Sequence, residues 1–191
     1  MIAEPIRIRR KNAFNLFREG QKLTSFDEFP MLRPDVDPQL HVSNNKVDQP
    51  FYLICEKDTV LAQMTGQARI AFREGSVRYF DLSPGDFVYV PGGTAHRILT
   101  LELGLQIRYK AREPGLEAVV WYCEKCGSEL DRFVWNVGET SSQAGYHHAC
   151  LRHNEDVARR RCLICDLELP PVDLGAFRWK AIADSLSHDN S

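Results

Sequence analysis

Four cysteines fall in two equal spacings, Cys123-Glu-Lys-Cys126-Gly and, after 35 residues, Cys162-Leu-Ile-Cys165-Asp. Two residues between cysteines let one tight turn aim both sulfurs at a single ion. Two such turns complete a tetrahedral shell of thiolates for zinc or iron. Gly127 suits a turn that requires a positive φ. Two disulfides or four unrelated thiols are the competing reading, which a reducing compartment disfavours. A closed four-sulfur shell has no open coordination position, so its ion should hold the C-terminal segment in shape and chemistry must be sought elsewhere. Cys55 and Cys150 remain as free thiols that pack.

A second candidate is His96, at the end of Gly85-Asp-Phe-Val-Tyr-Val-Pro91-Gly-Gly93-Thr-Ala-His96. A turn enters a strand, Pro91 and two glycines break it, and the next strand carries the imidazole inward, as a ligand or as a hydrogen-bonded core histidine. His41, with Ser43 on the same strand face, and Glu56, just before the next strand, could join His96 in a facial triad. The plain readings are a strand histidine and an exposed turn charge. His147, His148 and His153, near Cys150, resemble a metal group by content only and read as solvated loop. Over 105–110, Gln106, Arg108 and Lys110 alternate with Leu105, Ile107 and Tyr109. One face of this strand is polar and the other apolar.

The elements that must position these groups are short. β-type runs at 39–43, 59–64, 68–72, 76–82, 86–90 and 105–109 are separated by Gly66, Glu74-Gly75, Pro84-Gly85, Gly92-Gly93 and Gly104. With no helix-period segment between them, they predict an all-β antiparallel barrel. Residues 11–22 read as a short helix capped by Asn12 and ended by Gly20, and the proline-bearing 23–38 as an irregular surface wrap. Glu117–Tyr122 leads into the first cysteine pair, 136–160 reads as loop, 172–187 as a terminal helix, and the tail from Ser187 as disordered. The expected domains are a barrel with its N-terminal helix and wrap (1–120), a four-cysteine segment (121–170) and a tail (171–191).

Lys+Arg number 24 against 26 Asp+Glu, a net charge of -2, and the basic run Arg159-Arg160-Arg161 reads as a solvated turn. Nothing points to nucleic acid. No apolar run reaches the roughly 18 residues of a membrane span, and the N-terminus lacks a leader's apolar stretch, so a cytoplasmic protein is expected.

The series Gly85 to His96 fits the second cupin motif, Gly-x5-Pro-x-Gly-x2-His. With Trp121-Tyr122-Cys123-x2-Cys126-Gly and Arg160-Arg161-Cys162-x2-Cys165 after it, the chain resembles the bacterial 3-hydroxyanthranilate 3,4-dioxygenases over roughly residues 35–166. The resemblance implies a small cupin barrel, a rubredoxin-like four-cysteine site, a homodimer, and a barrel Fe(II) held by two histidines and a glutamate that opens an aromatic ring with O2. In ungapped register from Gly66, however, the ligand positions other than His96 fall on Leu53 and Thr59. The arginines that would hold the substrate's carboxylate fall on Gln49 and Thr100, and the acidic residue that contacts the ring substituents falls on Arg108.

The expectation is therefore a diverged cupin that has lost its ring-cleaving iron and binds or transforms a small, aromatic organic acid. His96 is the catalytic candidate. Arg108, Gln106, Leu53, Thr59 and Gln49 are the ligand-binding candidates, with Phe51, Tyr52 and Met64 adding an apolar wall. An internal Asp or Glu could neutralise Arg108 equally well. The alternatives are an active Fe(II) dioxygenase using His41, Glu56 and His96, and a redox or interaction module built on Cys123, Cys126, Cys162 and Cys165.

Overall fold

Short runs of alternating polarity can bury their apolar halves only by pairing into sheets that face one another. The computed structural model describes residues 8–189. Helix α1 (Leu16–Gly20) is followed by β1 (Phe29–Pro30), β2 (Gln39–Asn45), β3 (Tyr52–Cys55), β4 (Thr59–Gln63), β5 (Gln67–Phe72) and β6 (Tyr79–Leu82). Then come β7 (Phe87–Val90), β8 (His96–Glu102), β9 (Gly104–Lys110), β10 (Leu116–Tyr122) and β11 (Glu129–Asn136). Helices α2 (Ser142–Glu155), α3 (Val157–Arg160) and α4 (Trp179–Asp189) complete the described chain. One sheet runs β1-β2-β9-β4-β7 and the other β11-β10-β3-β8-β5-β6. Their strands pair antiparallel, and the two sheets form a β-barrel.

Two apolar clusters explain which way the strands face. Leu53, Leu61, Ile70, Val90, Ile98 and Val119 fill the space between the sheets. Val42, Ala62, Leu105 and Ile107 lie on the opposite face of the five-stranded sheet, under Ile8, Leu23, Phe29 and Met31 of the N-terminal arm and Ile182 and Leu186 of α4. Because that arm covers the apolar face of β9, its polar face turns inward, and Gln106, Arg108 and Lys110 are all buried.

The N-terminal segment departs from expectation. Residues 23–38 do not merely wrap a surface: Phe26, Asp27, Glu28, Phe29 and Met31 are buried. Phe26 and Glu28 have left-handed backbone, with φ of 52° and 40°. This costs on the order of 1–3 kcal/mol per residue and is sustained by the surrounding contacts. Helix α1 is capped by Asn15, which accepts from the Arg18 N–H at 3.0 Å, and not by Asn12. Asn12 follows Lys11, whose N–H donates to the Met31 carbonyl at 2.9 Å and keeps the chain extended there.

Residues 142–155 form a helix where a loop was expected. Ser141 caps it by accepting from the Ala144 N–H at 3.3 Å. Gln143, Tyr146, Ala149, Cys150 and His153 are all buried, so polar and apolar residues alike face protein and no amphipathic stripe marks the helix. Gly145 lies so close to β11 that a Cβ would come within 2.2 Å of the Trp135 ring. The terminal helix expected over 172–187 forms only from Trp179, as α4, and continues through Ser187 to Asp189, which corrects the disordered tail for that stretch; residues 190–191 lie outside the described residues. The arginine run is solvated only in part: Arg161 is exposed and Arg159 half-buried, but Arg160 is buried. Arg159 reaches Asp131, Arg160 reaches Glu168 and the Leu169 carbonyl, and Arg161 reaches Glu168.

Candidate functional site

The four cysteines converge. β10 ends in a turn in which Gly127 N–H donates to the Cys123 carbonyl and Cys123 N–H to the Ser128 carbonyl, each at 2.8 Å. The second turn repeats this, with Asp166 N–H to the Cys162 carbonyl at 2.9 Å and Cys162 N–H to the Leu167 carbonyl at 2.8 Å. Gly127 and Asp166 occupy equivalent places with φ of 76° and 57°. The sulfurs of Cys123, Cys126, Cys162 and Cys165 all lie within 4.8 Å of one another. Zinc–sulfur bonds of about 2.3 Å in a tetrahedron place sulfurs roughly 3.8 Å apart, so this cluster can hold one ion. Cys55 and Cys150 are free and buried, and burial pushes the Cys55 thiol up to about 12 and the Cys150 thiol higher still, which disfavours the thiolate in both.

The barrel interior is built differently. β8 pairs with β3 so that Leu53 lies opposite His96, and β9 pairs with β2 and β4 so that Arg108 lies opposite His41 and Leu61. Arg108 Nη1 lies 2.7 Å from His96 Nε2. A guanidinium can only donate, so Nε2 accepts and the ring proton sits on Nδ1, which donates to the Thr94 carbonyl at 3.0 Å. The imidazole is thus held neutral, its pKa pushed down to about 3 by burial and then by the Arg108 charge.

Arg108 also donates from Nε to Glu28 Oε1 at 2.8 Å. The other carboxylate oxygen of Glu28 accepts from the Tyr146 hydroxyl at 2.9 Å and lies 3.1 Å from Lys110 Nζ. Lys110 completes the chain by donating to Glu117 at 2.7 Å. Burial alone would raise the pKa of Glu28, but Lys110 and Arg108 together hold it well below the carboxylate range. Two fixed cations therefore balance two carboxylates inside the barrel.

The residues singled out for ligand binding are engaged with the protein itself. Gln106 donates to Gln63 at 3.0 Å, Gln49 donates to the Phe51 carbonyl at 3.0 Å, Thr59 lies 3.5 Å from Arg108, and Leu53 sits in the core. Of the residues that complete the cluster, Lys110 belongs to the polar alternation of β9, whereas Glu28, Glu117 and Tyr146 carry no local sequence signal. Glu28 is 80 residues from its partner Arg108.

A barrel Fe(II) does not fit these residues. The His96 lone pair that would bind it is committed to a guanidinium, and Leu53 and Thr59 occupy the other two ligand positions implied by the resemblance. The displaced triad is not assembled either. Glu56 is exposed and accepts from the Leu116 N–H at 2.8 Å, while His41 Nδ1 meets the Glu28 carbonyl at 3.0 Å. Among the described residues, the four-cysteine group is where His, Cys, Asp and Glu side chains gather closely enough to hold an ion. His153, expected in a solvated loop, is instead buried, stacked 3.9 Å from the Trp121 ring and 3.4 Å from Asp131.

A cleft of about 480 Å³ lies one layer outside the charged cluster, where the β3–β4 and β9–β10 loops meet the start of α2. Its lining includes Arg10, His41, Lys57, Arg112, Ser142 and Gln143. Two of these walls touch the cluster directly: Ser142 accepts from Lys110 at 3.3 Å, and Gln143 donates to the Glu28 carbonyl at 2.6 Å.

No family model and no curated protein matches the chain. Among solved structures, it is similar to the hydroquinone 1,2-dioxygenase PnpCD with Cd2+ and 4-hydroxybenzonitrile, at 13% identity and TM-score 0.44 over 53% of this chain and 81% of that one. A cupin-2 domain protein from Shewanella frigidimarina is similar at 17% identity and TM-score 0.46, over 52% and 95%. The hydroquinone 1,2-dioxygenase of Sphingomonas sp. TTNP3 gives 11% identity and TM-score 0.49, and the chain covers only 32% of its length. These likenesses take in about half of the chain and assign it no activity.

Proposed function

We propose that this chain is a diverged cupin that binds a small organic acid without a ring-cleaving iron centre, and that a metal ion in its four-cysteine site has a structural role. The barrel interior cannot serve as the acid's site while Glu28 supplies the carboxylate that Arg108 requires. The observation that carries the reading is the adjoining cleft. Its volume falls within the range of small-ligand sites. Lys57 and Arg112 on its wall are paired with Glu56 at 3.1 Å and Glu113 at 3.0 Å, but these pairs are exposed and exchangeable, unlike the buried Arg108–Glu28 pair, and polar groups of β2 and α2 line its floor. A ring-bearing carboxylate would place its charge toward Lys57 and Arg112.

Thermal shift with a panel of aromatic and aliphatic acids tests this in wild type and in Lys57→Glu/Arg112→Glu. Stabilisation by at least one acid in wild type, lost in the charge reversal, is the expected result. Equal shifts in both proteins would rule the cleft out. The same reading includes a homodimer that covers the β7 edge, where Phe87 and Tyr89 are exposed. Light scattering of wild type against Phe87→Glu/Tyr89→Glu measures it, a shift from dimer to monomer being expected.

The partial exposure of Cys126 and Cys165 favours one second reading, a redox role for the four-cysteine site. Purified protein containing iron, with a thiolate charge-transfer band, would support that role, and zinc would exclude it.

A further inference from the structure

Building on the reading of the four-cysteine site as a metal site, we infer that Ser128 is a positioning residue for its ion: the hydroxyl donates to the thiolate pair Cys126 and Cys162, lightens their charge, and leaves Cys165 the more reactive of the two cysteines that reach solvent.

The two cysteine turns repeat one another in backbone geometry, which exposes the one place where they differ. Cys123, Cys126, Gly127 and Ser128 of the first match Cys162, Cys165, Asp166 and Leu167 of the second, each set closed by the same pair of backbone hydrogen bonds. Across the site Cys126 faces Cys162 and Cys123 faces Cys165, with sulfurs 3.4 Å apart in both pairs. The Ser128 hydroxyl lies 3.2 Å from the sulfur of Cys126 and 3.2 Å from that of Cys162. At the matching place in the second turn stands Leu167, whose side chain has no donor. Tetrahedral coordination alone requires no such difference.

Four thiolates around one divalent ion leave an excess of negative charge on the sulfurs. A hydroxyl carries one proton, and at equal distances from two thiolates it is shared between them. Hydrogen bonds to an ionised acceptor are roughly twice as strong as neutral ones, and donation draws electron density from the sulfur. The turn that bears Ser128 is also braced against the barrel: Arg73, just after β5, donates to the Gly127 carbonyl and sets its guanidinium 4.7 Å from the centre of the Tyr122 ring.

Cys126 is exposed and Cys165 half-buried, whereas Cys123 and Cys162 are buried. Accessibility alone would send an electrophile to Cys126. The hydroxyl on Cys126 sends it to Cys165.

The test loads Co2+ into wild type, Ser128→Ala, Ser128→Thr and Leu167→Ser and records the sulfur-to-cobalt charge-transfer band. Ser128→Ala should move the band to lower energy and weaken zinc binding by roughly tenfold in chelator competition. Ser128→Thr, which keeps the hydroxyl, should restore both, and Leu167→Ser should move the band to higher energy. An unshifted band in cobalt-loaded Ser128→Ala would overturn the role of Ser128 alone. Wild type that takes up no cobalt would overturn the metal reading and the role of Ser128 with it.

A second measurement needs no variant. Zinc-loaded wild type is treated with less than one equivalent of N-ethylmaleimide and mapped by mass. The thiolate lone pair forms the C–S bond at one alkene carbon, that sulfur leaves the ion, and the neighbouring carbon takes a proton from water. Cys165 should be modified before Cys126. Modification of Cys126 first would overturn the role of Ser128 even if no variant folded.

Discussion

The barrel interior and the four-cysteine clasp both gather electron-rich side chains around one point, and they solve the resulting charge problem in opposite ways. In the barrel, His96, Glu28 and Glu117 face cations that the chain itself supplies, so the cluster is complete once folded. In the clasp, four sulfurs meet with no internal cation among them, so the arrangement calls for an ion from solution. The lesson is that one chain can close one electron-rich cluster with its own cations and leave another open to an ion. The barrel then draws its stability from internal ion pairing and the clasp from loading.

The contrast can be broken most forcefully at the clasp. Cys162→Ser, or removal of the ion by a strong chelator, should unfold the clasp segment, its turns Cys123–Ser128 and Cys162–Leu169, while the strands of the barrel persist. The binding energy of structural zinc sites is on the order of 10 kcal/mol, far above what the short α3 can supply locally. Limited proteolysis with mass mapping would show cleavage confined to that segment, and an unchanged digest would remove the ion's structural role.

The next largest effect belongs to Glu28. Glu28→Gln leaves Arg108 without its neutralising carboxylate in the interior and should cost about 3–5 kcal/mol, measured by urea unfolding. Replacing both partners with apolar side chains, Glu28→Leu/Arg108→Met, should recover much of that loss. Failure to recover would mean that the pair does more than neutralise itself.

Acid sharpens the comparison further. His96 and His41 are each pushed down to about 3, first by burial and then by Arg108 and Lys110 respectively. Their folded pKa values lie below the unfolded value of about 6.5, so the unfolded chain binds more protons between those limits. The stabilisation they contribute is fully present above pH 6.5 and is lost as pH falls toward 3, by up to roughly 1.4 kcal/mol per pH unit for each histidine. Urea denaturation between pH 7 and pH 5 should therefore show stability falling with pH. The slope should be shallower in His96→Gln, and an equal slope there would deny the buried neutral imidazole.

The smallest effect is expected at the tip of the second cysteine turn. Leu163 and Ile164 are 98% and 75% exposed, so Leu163→Ser/Ile164→Ser should change stability by less than about 0.5 kcal/mol. A larger loss in the thermal midpoint would show that these side chains pack against something in solution.

How much of this could be read from the sequence depended on how far apart the interacting residues lie. The paired cysteine turns and the run from Gly85 to His96 are local patterns, in which spacing alone dictates geometry, and both fold as read. The inward face of β9 was legible as an alternation, but its direction was not, because what decides it is an arm and a helix that cover Leu105 and Ile107. Glu28 was invisible for the same reason: it reaches Arg108 from another part of the chain, on a backbone conformation that no propensity favours. Helix α2 was missed because Gln143, Tyr146 and His153 are buried as polar groups with partners, which erases the periodicity that marks a surface helix. The cleft, made of three separate loops, has no sequence signature at all.

The two halves of the cysteine clasp are separated along the chain by β11, α2 and α3. An ion that bridges Cys126 and Cys162 therefore closes a loop around the helix whose Tyr146 steadies Glu28 and whose Gln143 seats the backbone beneath it. Loop closure would restrict that helix and so lower the entropic cost of bringing its side chains to the sheet. Loading at one end of the molecule would thereby stabilise the seal at the other.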